Sequence, residues 1–168
     1  MLYLIAEAVL GRCPAPLHRF VLRWAHRVRV IWWRWRKPTL TACRVLAFDE
    51  AGRVLLVRHS YGTPRWMPPG GGIKGDEDPL IASAREFREE LGCELDQLRL
   101  VTVMADRFHG AGNKVFVVAG QCQGQPKADQ REIAEAGFFA PDALPEDTVP
   151  LVAQQMPLWM AALTAGET

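Results

Sequence analysis

No two cysteines in this chain are spaced CxxC; Cys13, Cys43, Cys93 and Cys122 lie far apart, and the four histidines form no cluster. A structural zinc set is therefore excluded on spacing. Scattered thiols are expected to stay reduced, as in a cytoplasmic protein. No uninterrupted apolar run reaches the roughly 20 residues that cross a bilayer. The opening MLYLIAEAVLGRC lacks a basic leader and places Glu7 inside its apolar run, so it is not read as a signal peptide. Arg12 separates the glycine and cysteine that a lipoprotein signal needs adjacent. Internal repeats and low-complexity tracts are also missing.

Acidic residues are absent between Glu7 and Asp49. Residues 1–48 carry nine Lys and Arg against one Glu, a net +8, whereas residues 49–168 carry eleven against eighteen, a net −7. The overall +1 thus hides a basic arm and an acidic body. With 168 residues, 49% hydrophobic and 23% charged, the body is long enough to bury a core.

In residues 16–37, Leu17, Phe20, Val21, Trp24, Val28, Ile31, Trp32 and Trp35 recur at helical spacing, with Arg19, Arg23, Arg27 and Arg34 on the other face. Pro16 suits the start of this helix and Pro38 its end. Strands are expected at 41–49 and 53–59, joined by a turn at Gly52, and again at 98–106, 114–122 and 133–140. A helix is expected to follow Asp78 as N-cap, with Pro79 first and Gly92 as its stop. A closing helix over 148–163 contains Pro157. Interleaved helices and hairpins predict a mixed sheet.

The stretch GGGIKGDEDPLIASAREFREELGC (70–93) holds the strongest chemical signal. On a helix, Glu86, Glu89 and Glu90 fall within about 100° of one another. Leu80, Ala84, Phe87 and Leu91 form a separate apolar stripe. Clustered carboxylates repel unless a cation binds them. A site made of oxygens suits Mg²⁺ or Mn²⁺. Three consecutive glycines, Gly70, Gly71 and Gly72, permit close backbone approach to a ligand. Taken alone, REEL is more often a solvated acidic helix face.

The whole segment resembles the Nudix box, GX₅EX₇REUXEEXGU with U an aliphatic residue. Gly71, Glu77, Arg85, Glu86, Glu89, Glu90 and Gly92 occupy its fixed positions, while Phe87 and Cys93 stand where it has aliphatic residues. RWMPPGGG resembles the run that leads into the box, and REIAEAGFFAPDALP resembles the family's late strand and loop. The resemblance covers roughly residues 40–148. It implies an α/β fold, a Nudix-type α/β/α sandwich with a mixed sheet, over 39–168; the helix read from apolar spacing lies outside it, in an N-terminal amphipathic helical extension over 1–38. It also implies metal-dependent hydrolysis, with Mg²⁺ or Mn²⁺, of the diphosphate linkage in a nucleoside diphosphate joined to another group X.

On that resemblance, Glu86, Glu89 and Glu90 hold the metal, and Arg85 orients them. Glu77 braces the loop. The general base is one of these glutamates or a later one, with Glu132 and Glu135 as loop candidates. Gly70, Gly71, Gly72, Arg58 and Arg107 are candidate substrate-binding residues, with His59 and Arg65 as further phosphate-binding cations and Tyr61 or Phe108 for base stacking. The proline that follows the box in ADP-ribose-cleaving members is missing, since the next is Pro126, and the coenzyme A signature is absent. The identity of X therefore stays open.

The alternative in another class is a catalytically silent Nudix-like domain that binds a nucleotide and regulates a partner. The retained glutamates argue against it. The Arg and Trp of RVRVIWWRWRK suggest nucleic acid, but the aromatics segregate from most arginines, so nucleic acid is not expected as the main partner. The basic helix is expected to pack on the domain. Peripheral contact with an anionic membrane and a homodimer contact are the less favoured alternatives.

Overall fold

The computed structural model describes residues 40–60, 64–108, 111–128 and 130–165; the side chains of 40, 106–108 and 111–113 are outside the description. The helix expected at 16–37 and the boundary at residue 38 lie outside the described residues, as does Tyr61.

Strands β1 (Leu40–Phe48) and β2 (Val54–His59) form a hairpin. Its turn is closed by Asp49, whose Oδ1 accepts from the amides of Ala51 (3.0 Å) and Arg53 (2.8 Å). Gly52 takes the left-handed conformation at φ +72°. Helix α1 (Pro79–Leu91) begins as its caps dictate. Asp78 Oδ1 accepts from Leu80 N at 2.8 Å and Ile81 N at 3.3 Å. It ends at Gly92 (φ +67°), whose amide donates to the Arg88 carbonyl at 3.0 Å.

Strands β3 (Glu94–Phe108), β4 (Ala111–Gln123) and β5 (Ile133–Phe139) and helix α2 (Pro150–Ala165) follow. The sheet runs β3-β4-β1-β2-β5, with β1 and β4 parallel and the other neighbours antiparallel. It is mixed, as expected. Strand β3 starts at Glu94, four residues before the expected Leu98. Its ladder is interrupted between Asp96 and Arg99, where Gln97 adopts φ +54°, and that bulge hides the alternation that would mark a strand.

Alternation along the strands builds one core on each face of the sheet. Val45, Ala47, Leu55 and Val57 pack with Phe87 and Leu91 of α1. Leu46, Phe48, Leu56 and Trp66 pack with Val152, Met156, Trp159 and Leu163 of α2. The result is the expected helix–sheet–helix sandwich. Cys43, Cys93 and Cys122 are free thiols. Among the described residues no helix is long and apolar enough to cross a membrane.

Candidate functional site

The glycine loop is laid along the edge of β1 that β2 leaves open. The amides of Cys43 and Val45 donate to the carbonyls of Gly71 (2.9 Å) and Pro69 (2.8 Å), and Ile73 N donates to Thr41 O at 3.0 Å. The three glycines differ. Gly70 has φ +147°, and a β-carbon there would stand 2.2 Å from the Cys43 carbonyl oxygen. At Gly71 a β-carbon would stand 2.3 Å from Glu86 Oε2, so the loop backbone touches the carboxylate. Around Gly72 there is open space.

Arg85 ties loop and helix together. Its Nε and Nη2 donate to the two oxygens of Glu77 at 2.9 and 2.8 Å, a bidentate pair. Nη2 also reaches the Gly72 carbonyl at 3.3 Å. Nη1 donates to Glu86 Oε1 at 2.6 Å and lies 3.5 Å from Glu89 Oε2. The hydrogen bonds from Arg85 hold the Glu77 carboxyl down at about 2. Glu86 moves the other way. Burial raises its pKa even though Arg85 opposes the shift.

The three glutamates occupy different surroundings. Glu89 is 55% exposed, and Glu86 is largely covered. Glu90 is only 7% exposed, among Ser83, Phe87 and Leu91 on the inner side of α1. The expectation of three carboxylates on a face apart from the core is corrected here. About 60° separates Glu90 from Phe87 on the helix, which is close enough to bring it under the helix with the apolar stripe. Among the described residues no three His, Cys, Asp or Glu side chains are gathered tightly enough to enclose a cation.

The remaining candidates are dispersed. Arg58 alternates with Val57 and so faces α2, where its guanidinium lies 4.7 Å from the Trp66 ring centre. It pairs with Asp147 and, at 3.4 Å, with Glu135, its cross-strand partner. The sheet therefore lies between Arg58 with Glu135 and the glutamates of α1. Two residues expected to serve one site, as phosphate ligand and base, are instead bound to each other on the far face. Glu132 precedes β5 and accepts from Ser60 N at 2.8 Å through its carbonyl. Arg107 lies in β3 opposite Gly112. Sequence reasoning missed Cys43, whose Sγ lies 3.6 Å from the Gly71 carbonyl. Its inward register with Val45 and Ala47 was visible, but a cysteine there reads as a small hydrophobe.

The donor chemistry fits a hard divalent cation, because the side chains at this loop and helix end in carboxylates. The described side chains do not already enclose an ion, but Glu86 and Glu89 converge on one point. Only glycine at 71 leaves room for the Glu86 carboxylate, and one cationic nitrogen of Arg85 already reaches both Glu86 and Glu89.

The sequence model of the NUDIX domain matches residues 38–160, and the chain belongs to that family. Diphosphoinositol polyphosphate phosphohydrolase 2 of Rattus norvegicus is 37% identical over 77 residues, which are 46% of this chain and 43% of that protein. ADP-ribose pyrophosphatase of Mycobacterium tuberculosis is 30% identical over 98 residues, 54% of this chain and 47% of that protein. The matches thus span less than half the length of these curated relatives. The crystal structure of a MutT NUDIX hydrolase from Burkholderia pseudomallei superposes with a TM-score of 0.63 at 25% identity, covering 71% of this chain and 96% of that one.

Proposed function

We propose that this chain is a metal-dependent hydrolase of the diphosphate linkage in a nucleoside diphosphate derivative. The observation that carries the proposal is the Arg85 clamp. One guanidinium fastens Glu77 and the Gly72 carbonyl while reaching Glu86 and Glu89. A solvated acidic face needs no such construction. Glu86, Glu89 and Glu90 would hold Mg²⁺ or Mn²⁺. When bound, that ion supplies Lewis-acid neutralisation of the phosphoryl oxygens.

The protein's own part is positioning and proton handling. Arg85 and Gly71 fix the Glu86 carboxylate from two sides. In the loop Gly70–Gly72, the open space around Gly72 leaves backbone free of side chains for a phosphate to approach. Glu86, held at the loop, is one candidate for the group that takes a proton from water. Glu89 and Glu132 are the other candidate bases. Glu135 is set aside because of its place across the sheet beside Arg58.

The test is a phosphate-release screen with Mg²⁺ and Mn²⁺. It covers nucleoside triphosphates, dinucleoside polyphosphates, nucleotide sugars, ADP-ribose and a diphosphoinositol polyphosphate. The last two follow from what the relatives' names state. Turnover of at least one diphosphate-containing compound is expected. Binding without turnover across the whole panel favours the silent regulatory domain instead.

A further inference from the structure

Upstream of the box, one residue touches both the glycine loop and the helix. Cys43 is 3% exposed on β1. Its amide donates to the Gly71 carbonyl at 2.9 Å, and its Sγ lies 3.6 Å from the same oxygen. Its own carbonyl lies so close to Gly70 that a β-carbon there would stand 2.2 Å away. On the other side, Sγ lies near Ser83, whose hydroxyl donates to the Pro79 carbonyl at 2.7 Å, and near the carboxylates of Glu86 and Glu90. Ser83 is fully buried on α1, one helical turn before Glu86 and two before Glu90. A single small side chain therefore fills the junction of strand, loop and helix.

We infer that Cys43 is a positioning residue for the Glu86 carboxylate, acting through Gly71. The Gly71 backbone is flush against Glu86 Oε2, so any shift of residue 71 toward α1 is passed to that carboxylate. The thiol is small enough to leave the loop where it is, and it offers a donor to the carbonyl that faces it. A β-branched apolar side chain at 43 does neither. It thickens the junction and strips the donor, which pushes the loop against the helix. The inference rests on the metal reading proposed above.

The test measures Mn²⁺ binding to the full chain by electron paramagnetic resonance, alongside thermal melting without metal. Cys43→Ser keeps a donor at nearly the same size, and its Mn²⁺ affinity is expected within about threefold of wild type. Cys43→Val is expected to weaken Mn²⁺ binding about tenfold or more. A side chain that only fills the core would lower the melting temperature and leave the affinity of the folded protein unchanged. Gly71→Ala acts on the same contact from the loop side, so it carries the test if Cys43→Val does not fold. It should show the same loss of affinity. Adding Cys43→Val to it should weaken binding by less than the two single losses combined. Wild-type Mn²⁺ binding that persists in folded Cys43→Val, or in Gly71→Ala where Cys43→Val does not fold, overturns this inference alone. A wild-type chain that takes up no Mn²⁺ overturns the proposed function and the inference with it.

Discussion

The backbone of Gly71 rests against the carboxylate of Glu86, with room for no side chain between them: a β-carbon at 71 would stand 2.3 Å from Oε2. The atom in the way is the end of a flexible side chain, so it can move. At Gly70 the obstacle is the Cys43 main-chain carbonyl at 2.2 Å, which cannot move cheaply, and φ is +147°.

Alanine at the three glycines should therefore give three different results. Gly70→Ala should destabilise the fold by at least about 2 kcal/mol. Gly71→Ala should stay within about 0.5 kcal/mol of wild type yet lose about 100-fold in hydrolysis, because the carboxylate is displaced. Gly72→Ala, with open space around it, should change stability by less than about 0.5 kcal/mol. Urea melts and initial rates on the three variants check this. Equal behaviour at 70 and 71 would contradict the separation of roles.

Glu89→Gln and Glu90→Gln each remove a charge while keeping the shape. Each should lower hydrolysis by at least about 100-fold. Glu89 is exposed, so its melting temperature should hardly change. Glu90 is buried, and without metal its neutral replacement should melt no lower than wild type. EDTA should abolish activity, and Mg²⁺ or Mn²⁺ should restore it better than Zn²⁺, since the proposed ligands are hard oxygens. Near-wild-type turnover in both variants, or turnover in excess EDTA, would remove the metal assignment.

Local chemistry was legible in the chain and long-range partnership was not. Asp78, Pro79 and Gly92 mark the ends of α1 because a cap is satisfied within a few residues. The role of Arg85 toward the glutamates came from the resemblance of residues 71–93 to the Nudix box, and its bidentate pair with Glu77, eight residues away, was not foreseen. The parallel pairing of β1 with β4 depends on residues far apart in sequence, and nothing in either strand names its neighbour. Arg58 read as a free cation because Asp147, its partner, lies in the loop before α2. Glu90 read as wet because helical angle gives direction around α1, whereas burial depends on how α1 lies on the sheet.

Two carboxyl groups make stability depend on pH with opposite signs. Glu77 has its pKa lowered from 4.5 to about 2 by Arg85. Its stabilising contribution is complete above the unfolded value and is lost as pH falls from about 4.5 toward 2. Glu86 has its pKa raised from 4.5 by burial. Its ionisation opposes folding, a cost absent below the unfolded value and complete once pH rises past the folded one. In metal-free melts, Glu77→Gln should flatten the acid limb between about pH 4.5 and 2, and Glu86→Gln should melt at least as high as wild type at neutral pH. A wild-type acid limb in Glu77→Gln would show that the pair with Arg85 does not contribute in this window.

Removal of residues 1–38 tests what the basic, tryptophan-rich segment does. Its arginines carry the charge opposite to that of residues 49–168, and its apolar stripe repeats at helical spacing. Packing against the NUDIX domain is expected. Each large apolar side chain buried there is worth about 1.5–3 kcal/mol, so the truncated chain should lose several kcal/mol and aggregate or melt much earlier. A segment that instead lies on an anionic membrane predicts a truncation that is soluble, equally stable and fully active, and that no longer sediments with anionic liposomes. In that case alone, changing Arg19, Arg23, Arg27 and Arg34 together to Gln should weaken liposome binding. A dimer contact predicts a truncation that elutes as a smaller species at unchanged activity. A stable, active truncation, together with salt-sensitive binding of the full chain to anionic liposomes, would show that the segment does not belong to the core.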